Sequence, residues 1–394
     1  MKGKVALLGL GIIAATIASS LASGLRAQGG DPIKIGNPYN LTGGMSSLDV
    51  PASNGAKLAA KEINAAGGVL GRQLELVEYD GKTDPATITN IASQLIDSDK
   101  VVAIGGFTDS DSALALGPIA QKAGVPFVTA GATSPLLPTQ IGDYMFLAPF
   151  GDNVQAAVGA EFSLKNLKAK TRYMLIDKGS EYTVLLGKFF KDAYLKGGGK
   201  ITLEDSYKTG DKSFAAQITK LKALKTKPAM LFVSALPDDI GTLVKQMRQA
   251  GVNQPIVGGD GYDTPLLVQV GGAAANNVYF TTHALIDEKG GSVAVKKFIA
   301  GYKKEYGKLP DNAFAALGYD TVYLIADAIK RAGATDGKKI RDALAATKGL
   351  KTVTGTITYA PGVRVPAKGV TVIGVKNKAL FLAAEMVPTY VPKP

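Results

Sequence analysis

VVAIGGFTDSDSALALGPIAQKAGVPFVTAGATSP, residues 101–135, contains a strand, a helix and a second strand in succession. Val101–Ile104 is a continuous apolar run with β-branched residues, which is typical of a strand buried on both faces of a parallel sheet. Residues 113–123 carry apolar side chains at helical spacing, and Gly124 is a good helix stop. Pro126–Thr129 is predicted to be the next strand. The stretch therefore predicts an open α/β sheet.

A hydroxyl-rich loop follows each of these two strands. The loops are residues 108–112 and 130–134. Because parallel strands end at the same sheet edge, both loops should lie side by side, where open α/β sheets bind ligands. The pair predicts a site for a small polar molecule.

Strands and helices alternate along most of the chain, and the pattern restarts after residue 150. Parallel neighbours need a crossover long enough to hold a helix, so the alternation predicts helix-covered parallel sheets in two lobes. Residues 40–47 form a predicted glycine- and serine-rich loop, and Ser53 is the predicted N-cap of the next helix. Residues 370–375 and 379–385 are predicted to pair as a hairpin.

Composition removes several kinds of chemistry. The 394 residues are 46% apolar and 20% charged, which fits a folded chain of two or three domains. The chain has no cysteine and a single histidine, His283, so thiolate nucleophiles and histidine metal centres are not expected, and no cofactor is predicted. The net charge of +12 comes from scattered lysines without an aromatic platform, so nucleic-acid binding is not expected.

The first 27 residues have the pattern of a signal peptide. Lys2 and Lys4 precede an apolar core at Val5–Ala18, and small residues cluster before residue 28. Cleavage after Ala22 or Ala27 is expected. The apolar run is short for a membrane span, so the pattern predicts export to a bacterial periplasm.

Three motifs together resemble a known family. NGAKLAAKEINAAGGVLGRQLELVEYDGKTDP (54–85), GVPFVTAGATSP (124–135) and KQMRQAG (245–251) are similar to segments of the extracellular ligand-binding receptors of branched-chain amino acid ABC transporters. These receptors have the type I periplasmic-binding-protein fold. The resemblance covers nearly the whole chain after the signal segment.

The resemblance implies two doubly wound, parallel-sheet α/β lobes that close over a ligand by hinge motion. Three hinge crossings are expected near Phe150, His283 and Gly355. The implied division is lobe 1 at 31–150 and 283–355, and lobe 2 at 151–282 and 356–394.

In the family, lobe 1 holds the carboxylate of the ligand. The matching residues here are Ser110, Ala132 and Thr133, with Gly131 in the same loop. Hydroxyls and free backbone N–H groups at helix starts suit an anion. The alternative is that Ser110 and Thr133 only cap turns.

The resemblance assigns the ligand ammonium to lobe 2. Asp260, in GGDGYD, is the matching acid, and Asp263 is a weaker candidate. Tyr182 matches an aromatic residue that covers the ligand. Asp260 could instead be an ordinary turn residue.

The expected side-chain pocket departs from the family. Leu48, next to Ser47, stands where some relatives have an aromatic residue, and Leu236 in SALPDD replaces another. These changes leave room for a different side chain or for a ligand that is not an amino acid. Asp109 and Asp111 are expected to point outward as helix-start acids, and His283 is expected to be structural or exposed.

The favoured hypothesis is therefore a monomeric, non-enzymatic periplasmic receptor that passes an amino acid to a membrane permease. The alternatives are a receptor for another small carboxylate or amide, such as an aromatic acid, and a ligand sensor of the same fold. A hydrolase using a serine and His283 is disfavoured, because a triad needs an oriented histidine in the cleft.

Overall fold

The computed structural model describes residues 30–394, so the predicted signal peptide lies outside the described residues. Fourteen strands and twelve α-helices are described there. The strands are β1 (Ile33–Tyr39), β2 (Leu74–Asp80), β3 (Ala103–Gly106), β4 (Phe127–Thr129), β5 (Met145–Leu147), β6 (Thr171–Asp177), β7 (Lys200–Tyr207), β8 (Met230–Ser234), β9 (Ile256–Gly258), β10 (Val278–Thr282), β11 (Leu350–Thr352), β12 (Gly355–Ile357), β13 (Val370–Lys376) and β14 (Ala379–Met386).

The helices alternate with the strands over most of the chain, as the sequence predicts. They are α1 (Ser46–Ala65), α2 (Pro85–Ser93), α3 (Ser110–Ala123), α4 (Leu137–Ile141), α5 (Asp152–Lys165), α6 (Glu181–Lys196), α7 (Ala215–Ala223), α8 (Pro237–Gln249), α9 (Pro265–Gly271), α10 (Val293–Tyr306), α11 (Phe314–Ala332) and α12 (Gly337–Ala345). None of the helices in residues 30–394 combines the length and the apolar character that a membrane span requires.

The strands form two large sheets, and each sheet is the centre of one lobe. Lobe 1 contains the five parallel strands in the order β2, β1, β3, β4, β5. Lobe 2 contains seven strands in the order β14, β13, β10, β9, β8, β6, β7. The predicted hairpin of β13 and β14 is present and makes an antiparallel edge on the otherwise parallel sheet of lobe 2. Buried apolar clusters lie against both sheets, so the predicted fold class is confirmed.

The chain passes between the two sheets three times. The first passage lies between β5 and α5, and the second follows β10 at His283. The third passage comes later than the predicted position near Gly355, because Gly355 opens the second strand of the β11 and β12 hairpin. Beyond that hairpin, the Leu147 N–H of β5 still donates to the Arg364 carbonyl at 3.0 Å. We therefore place the third crossing between Arg364 and the start of β13.

Helices α1 and α11 pack unusually closely in lobe 1. A Cβ built on Gly55 would lie 1.8 Å from the Ala315 carbonyl oxygen, and a Cβ built on Gly318 would lie 1.9 Å from the Ala52 carbonyl oxygen. Two helix backbones can approach this closely only where a glycine faces the neighbouring backbone, and each helix supplies one such glycine. This contact joins the segment before residue 150 to the segment after residue 283.

Helix α1 begins earlier than predicted. It starts at Ser46, so Ser53 is an interior residue and not an N-cap. The Ser53 hydroxyl instead donates to Glu78 at 2.5 Å. Pro51 lies inside α1, and a proline there lacks the N–H that a helix interior uses. That local signal favoured a later start, and tertiary packing of α1 on α11 outweighs it.

Candidate functional site

A narrow cavity lies between the two lobes, and its volume is about 10 Å³, which is room for about one water molecule. The two lobes therefore lie closed on each other, and a solute larger than water enters only when they separate. Lobe 1 lines it with Met45, Leu48, Thr108, Asp109, Ser110, Thr133 and Phe314, and lobe 2 lines it with Tyr182, Leu236, Pro237, Asp260 and Gly261.

Hydroxyl groups dominate the polar part of the lobe 1 wall. Ser110 is the first residue of α3, and Asp109 caps that helix by accepting from the Ser112 N–H at 2.8 Å. The Ser110 Oγ accepts from the Ser134 N–H at 3.3 Å, which holds the two predicted loops together. Because Ser110 and its hydroxyl sit at a helix N-terminus, where backbone dipoles favour negative charge, this wall suits a carboxylate.

Thr133 lies on the same wall, whereas its two neighbours in the loop do not line the cavity. The Ala132 N–H donates to Thr129 Oγ1 at 2.9 Å, and the Gly131 N–H donates to the Phe107 carbonyl at 3.1 Å. These two N–H groups are therefore not free, contrary to the expectation for this loop. The hydroxyl-bearing residues of lobe 1 that line the cavity are Thr108, Ser110 and Thr133.

Asp260 is the main charged group of the lobe 2 wall. It is buried at the start of a short 3₁₀ turn, at 2% exposure. Its Oδ1 accepts from Gln155 Nε2 at 2.9 Å, and its Oδ2 lies 3.0 Å from His283 Nε2. A carboxylate offers about four acceptor positions, so Asp260 can still accept from a ligand.

The structure adds two residues behind Asp260 that the sequence analysis missed. Gln155 donates from Nε2 to both Asp260 and Asp152, each at 2.9 Å. Its Oε1 accepts from the Asp260 N–H at 3.1 Å and from Thr281 Oγ1 at 2.7 Å. Every polar atom of the Gln155 amide is thus used, and its orientation is fixed.

Asp152 is the second buried carboxylate of this wall. It is 0% exposed, and within residues 30–394 its Oδ2 has no hydrogen-bond partner. Burial first, and then the charge of Asp260, raise the pKa of Asp152 well above its usual range. The raised pKa favours the neutral form of Asp152, whereas Asp260 is the acid of this pair that lines the cavity.

His283 is buried and structural, so the alternative that it is solvent-exposed is wrong. Its ring stacks on Phe150 at 4.1 Å and meets the Phe314 ring edge-to-face at 5.6 Å. Burial lowers the pKa of His283, against the opposing effect of Asp260. A neutral imidazole whose Nε2–H donates to Asp260 leaves the negative charge of Asp260 in place.

Tyr182 covers the cavity from the first turn of α6. It is 6% exposed, and its hydroxyl oxygen accepts from the Gly261 N–H at 3.0 Å. Burial first, and then the charge of Asp260, raise the pKa of Tyr182 well above its usual range. The ring therefore stays neutral and offers one polar tip on an apolar surface.

The rest of the cavity wall is apolar. Its residues come from both lobes and are Met45, Leu48, Leu236, Pro237 and Phe314. Phe314 supplies an aromatic ring from α11, a helix that the sequence analysis had not connected with the site.

Ser47 does not line the cavity, because its Oγ accepts from Thr264 Oγ1 of lobe 2 at 2.9 Å. Asp263 does not line the cavity either, and its Oδ2 accepts from Thr282 Oγ1 and from the Ala313 N–H.

Two further acids are buried at the lobe 1 wall, where Asp109 lines the cavity and Asp49 lies behind it. The Asp49 Oδ2 accepts from the Asn40 N–H at 2.8 Å, and Asn40 Nδ2 donates to Asp109 at 3.2 Å. Burial, then the charge of Asp109, raise the pKa of Asp49 to about 8, and burial raises the pKa of Asp109 to about 6. Asp109 thus points inward, contrary to the sequence prediction.

Asp49→Asn is expected to stabilise the protein at pH 8. The pKa of Asp49 is higher in the folded protein than in the unfolded chain. The contribution of Asp49 to the stability of the fold is therefore full below about pH 4 and is lost as the pH rises through 8. Asparagine mimics the protonated acid at all pH values, so the free energy of unfolding at pH 8 should rise by about 1 to 3 kcal/mol. Urea unfolding at pH 5.5 and pH 8 measures both values.

The matched control for this prediction is Asp97→Asn at an exposed position of lobe 1. It should leave the difference between pH 5.5 and pH 8 unchanged. An Asp49→Asn variant that is less stable than the parent at pH 8 would contradict the prediction.

No group of three or more His, Cys, Asp or Glu residues that could hold a metal ion occurs in the described part of the chain. The site instead places hydroxyls on one lobe opposite buried acids on the other, around a small and partly apolar cavity. Two α/β lobes closed on such a cavity define a bilobal solute-binding protein.

Comparisons with known proteins give the family. The family model for periplasmic binding proteins matches residues 32–379, and the chain belongs to this family of solute-binding proteins. It is 31% identical over 329 residues to the Leu/Ile/Val-binding protein homolog 3 of Brucella melitensis, covering 83% of this chain and 87% of that one.

Solved structures of similar proteins have the same fold. The branched-chain amino acid transporter substrate-binding protein LivJ of Streptococcus pneumoniae, in complex with isoleucine, is 32% identical, with a TM-score of 0.83 over 92% of this chain and 100% of that one. A solute-binding protein of an ABC transporter from Rhodopseudomonas palustris, in complex with 3,4-dihydroxybenzoic acid, is 25% identical, with a TM-score of 0.81 over 92% and 99%.

Proposed function

We propose that this chain is the periplasmic receptor of an ABC importer and that it binds an amino acid with an apolar side chain. The main observation behind this proposal is that polar side chains of the two lobes face each other across one cavity. Ser110 and Thr133 on lobe 1 suit the carboxylate of the ligand, and Asp260 on lobe 2 suits its ammonium. An α-amino acid presents both groups on adjacent atoms.

The apolar part of the cavity gives the class of side chain. Leu48, Leu236 and Phe314 offer contact area and no hydrogen-bond partner. A charged ligand side chain would lose its hydration there without compensation. Leucine, isoleucine, valine and phenylalanine fit this chemistry, and the names of the Brucella and Streptococcus relatives support the aliphatic members.

Titration calorimetry of refolded, ligand-stripped protein tests this function. We expect leucine, isoleucine, valine or phenylalanine to bind, and lysine and glutamate to bind at least about 100-fold more weakly because each would bury an unpaired charge. Absence of heat with every amino acid would reject the proposal. Binding of lysine or glutamate with the highest affinity would reject the assigned side-chain class.

A second candidate is a receptor for a small aromatic acid. The relative from Rhodopseudomonas palustris in complex with 3,4-dihydroxybenzoic acid is the observation that favours it. An aromatic acid would use the hydroxyls of Ser110 and Thr133 and would need no acid on the opposite wall. Benzoate and 3,4-dihydroxybenzoate in the same calorimetric panel separate the two candidates.

Location and assembly complete the proposal. Cleavage of a signal peptide within residues 1–27 would deliver a monomer to the periplasm, where its closed form would dock on a membrane permease. Mass spectrometry of the exported protein would give the cleavage position, and sedimentation would give the oligomeric state. Neighbouring permease and ATPase genes would favour transport over sensing.

A further inference from the structure

The N-terminus of α6 has no cap from its own lobe. The helix begins at Glu181 after Ser180, and the Ser180 side chain makes no capping hydrogen bond. The first N–H groups of a helix have no partner inside the helix and must be satisfied elsewhere. Tyr182, which covers the cavity, is the second residue of this helix.

Asp111 of lobe 1 supplies the missing acceptor across the cleft. Its Oδ1 accepts from the Glu181 N–H at 3.1 Å, and its Oδ2 accepts from the Ser180 hydroxyl at 2.6 Å. A second hydrogen bond also joins the two lobes beside this one, because Gln140 Nε2 of lobe 1 donates to Glu181 Oε1 at 3.0 Å. The prediction that Asp111 points outward to solvent is therefore wrong.

We propose that Asp111 is a positioning residue that caps α6 only when the lobes close. This inference rests on the proposed binding function and extends it to the control of closure. Asp111 lies in α3 and Ser180 precedes α6, so opening the cleft separates the carboxylate from the helix start and leaves the Glu181 N–H to water. A carboxylate also complements the positive end of the α6 dipole.

This placement has a specific energetic consequence. The cap belongs to the closed state alone, so losing it destabilises closure without removing any contact with the ligand. The affinity for every ligand should therefore fall by the same factor. Loss of an N-cap typically changes an equilibrium constant by roughly 2- to 30-fold. Asp111→Ala should therefore raise Kd by about that factor, mainly through faster dissociation.

The binding test compares Asp111→Ala with a matched cap in the same lobe. Asp336 caps α12 by accepting from the Lys339 N–H at 2.9 Å and makes no contact across the cleft. Calorimetry with isoleucine and leucine should show weaker binding for D111A by equal factors, and unchanged Kd for D336A. Kd within twofold of the parent for D111A, or equal losses in both variants, would overturn the proposal.

A second measurement needs no ligand. Ser47 Oγ and Thr264 Oγ1 lie 2.9 Å apart across the cleft, and the chain has no native cysteine. The S47C/T264C pair is therefore chosen as the candidate for a single disulfide that reports closure. The equilibrium constant for forming this disulfide with oxidised glutathione should fall by about 2- to 30-fold when D111A is added, the range expected for loss of an N-cap.

The two measurements separate two kinds of failure. If no amino acid binds but D111A still lowers the disulfide equilibrium, the proposed ligand is wrong and the cap is right. If amino acids bind and D111A leaves the disulfide equilibrium unchanged, the cap is wrong. Failure of the pair to oxidise with Asp111 intact would contradict the cross-cleft geometry itself.

Discussion

Asp260→Asn is expected to weaken the binding of isoleucine by roughly 100-fold or more. The substitution keeps the size of the side chain and the hydrogen bond from Gln155, but it removes the negative charge from a site that is 2% exposed. Loss of one partner of a buried, hydrogen-bonded charge pair typically corresponds to about 2 to 5 kcal/mol. Calorimetry of the stripped variant gives the change in Kd directly.

Asp152, the acid next to Asp260, allows a second test of this prediction. The charge of Asp260 is one of the causes that raise the pKa of Asp152, so removing it should let Asp152 ionise more readily and restore part of the attraction. The D152N/D260N double variant should therefore bind isoleucine more weakly than D260N alone.

Two controls accompany the Asp260 experiment. Asp205→Asn, in lobe 2 but bonded to Lys220 outside the cavity, should leave Kd unchanged. The compound 3-methylpentanoate, which is isoleucine without its amine, should lose no affinity in D260N. An equal loss for the amine and for its deaminated analogue would show that Asp260 does not bind the ammonium.

Gly318→Ala is expected to lower the stability of lobe 1 by about 3 kcal/mol or more. The new Cβ would lie 1.9 Å from the Ala52 carbonyl oxygen and 2.6 Å from its carbonyl carbon, and both atoms belong to a helix backbone that cannot move alone. Overpacking of a rigid contact typically corresponds to about 1 to 3 kcal/mol, and a backbone clash is the severe case. Thermal unfolding followed by circular dichroism should show a drop of about 6 °C or more.

Gly301→Ala in α10 is the matched control. The nearest atom to its new Cβ is the Glu62 Oε1 at 3.1 Å, at the end of a flexible side chain. Alanine also favours a helix over glycine by about 0.5 to 1 kcal/mol, so G301A should be neutral or slightly stabilising. A G318A protein as stable as G301A would mean that α1 and α11 can separate at little cost.

The local patterns of the sequence predicted most of the fold, because alternating strands and helices leave periodic signals. The hairpin strands predicted at 370–375 and 379–385 match β13 and β14 to within one residue at each end. The start of α1 was missed, since Pro51 and the glycines before it signal a loop locally, whereas contact with a helix more than 250 residues later decides the outcome. The third crossing was placed too early for a similar reason, because the pairing of Leu147 with Arg364 leaves no local mark.

The residues of the candidate site also divide into those that the sequence could predict and those that it could not. Ser110, Thr133 and Asp260 follow strands, and the family resemblance could carry them over by position. The roles of Gln155 and His283 depend on contacts with Asp260 that join residues 105 and 23 positions apart. Asp152 could have been suspected as a helix-start acid, but only burial separates it from the many acids that merely cap helices.

The close contacts of Gly55 with Ala315 and of Gly318 with Ala52 also bear on the order in which the chain can fold. Helix α1 cannot meet its partner until residues beyond 318 have been made and delivered, and lobe 2 needs β13 and β14 from the last 25 residues. Contacts so distant along the chain are formed slowly. A fragment ending after β10 would leave the apolar faces of both lobes uncovered and prone to aggregate. The chain is therefore expected to reach its native state only after synthesis is complete, with both lobes maturing late and together.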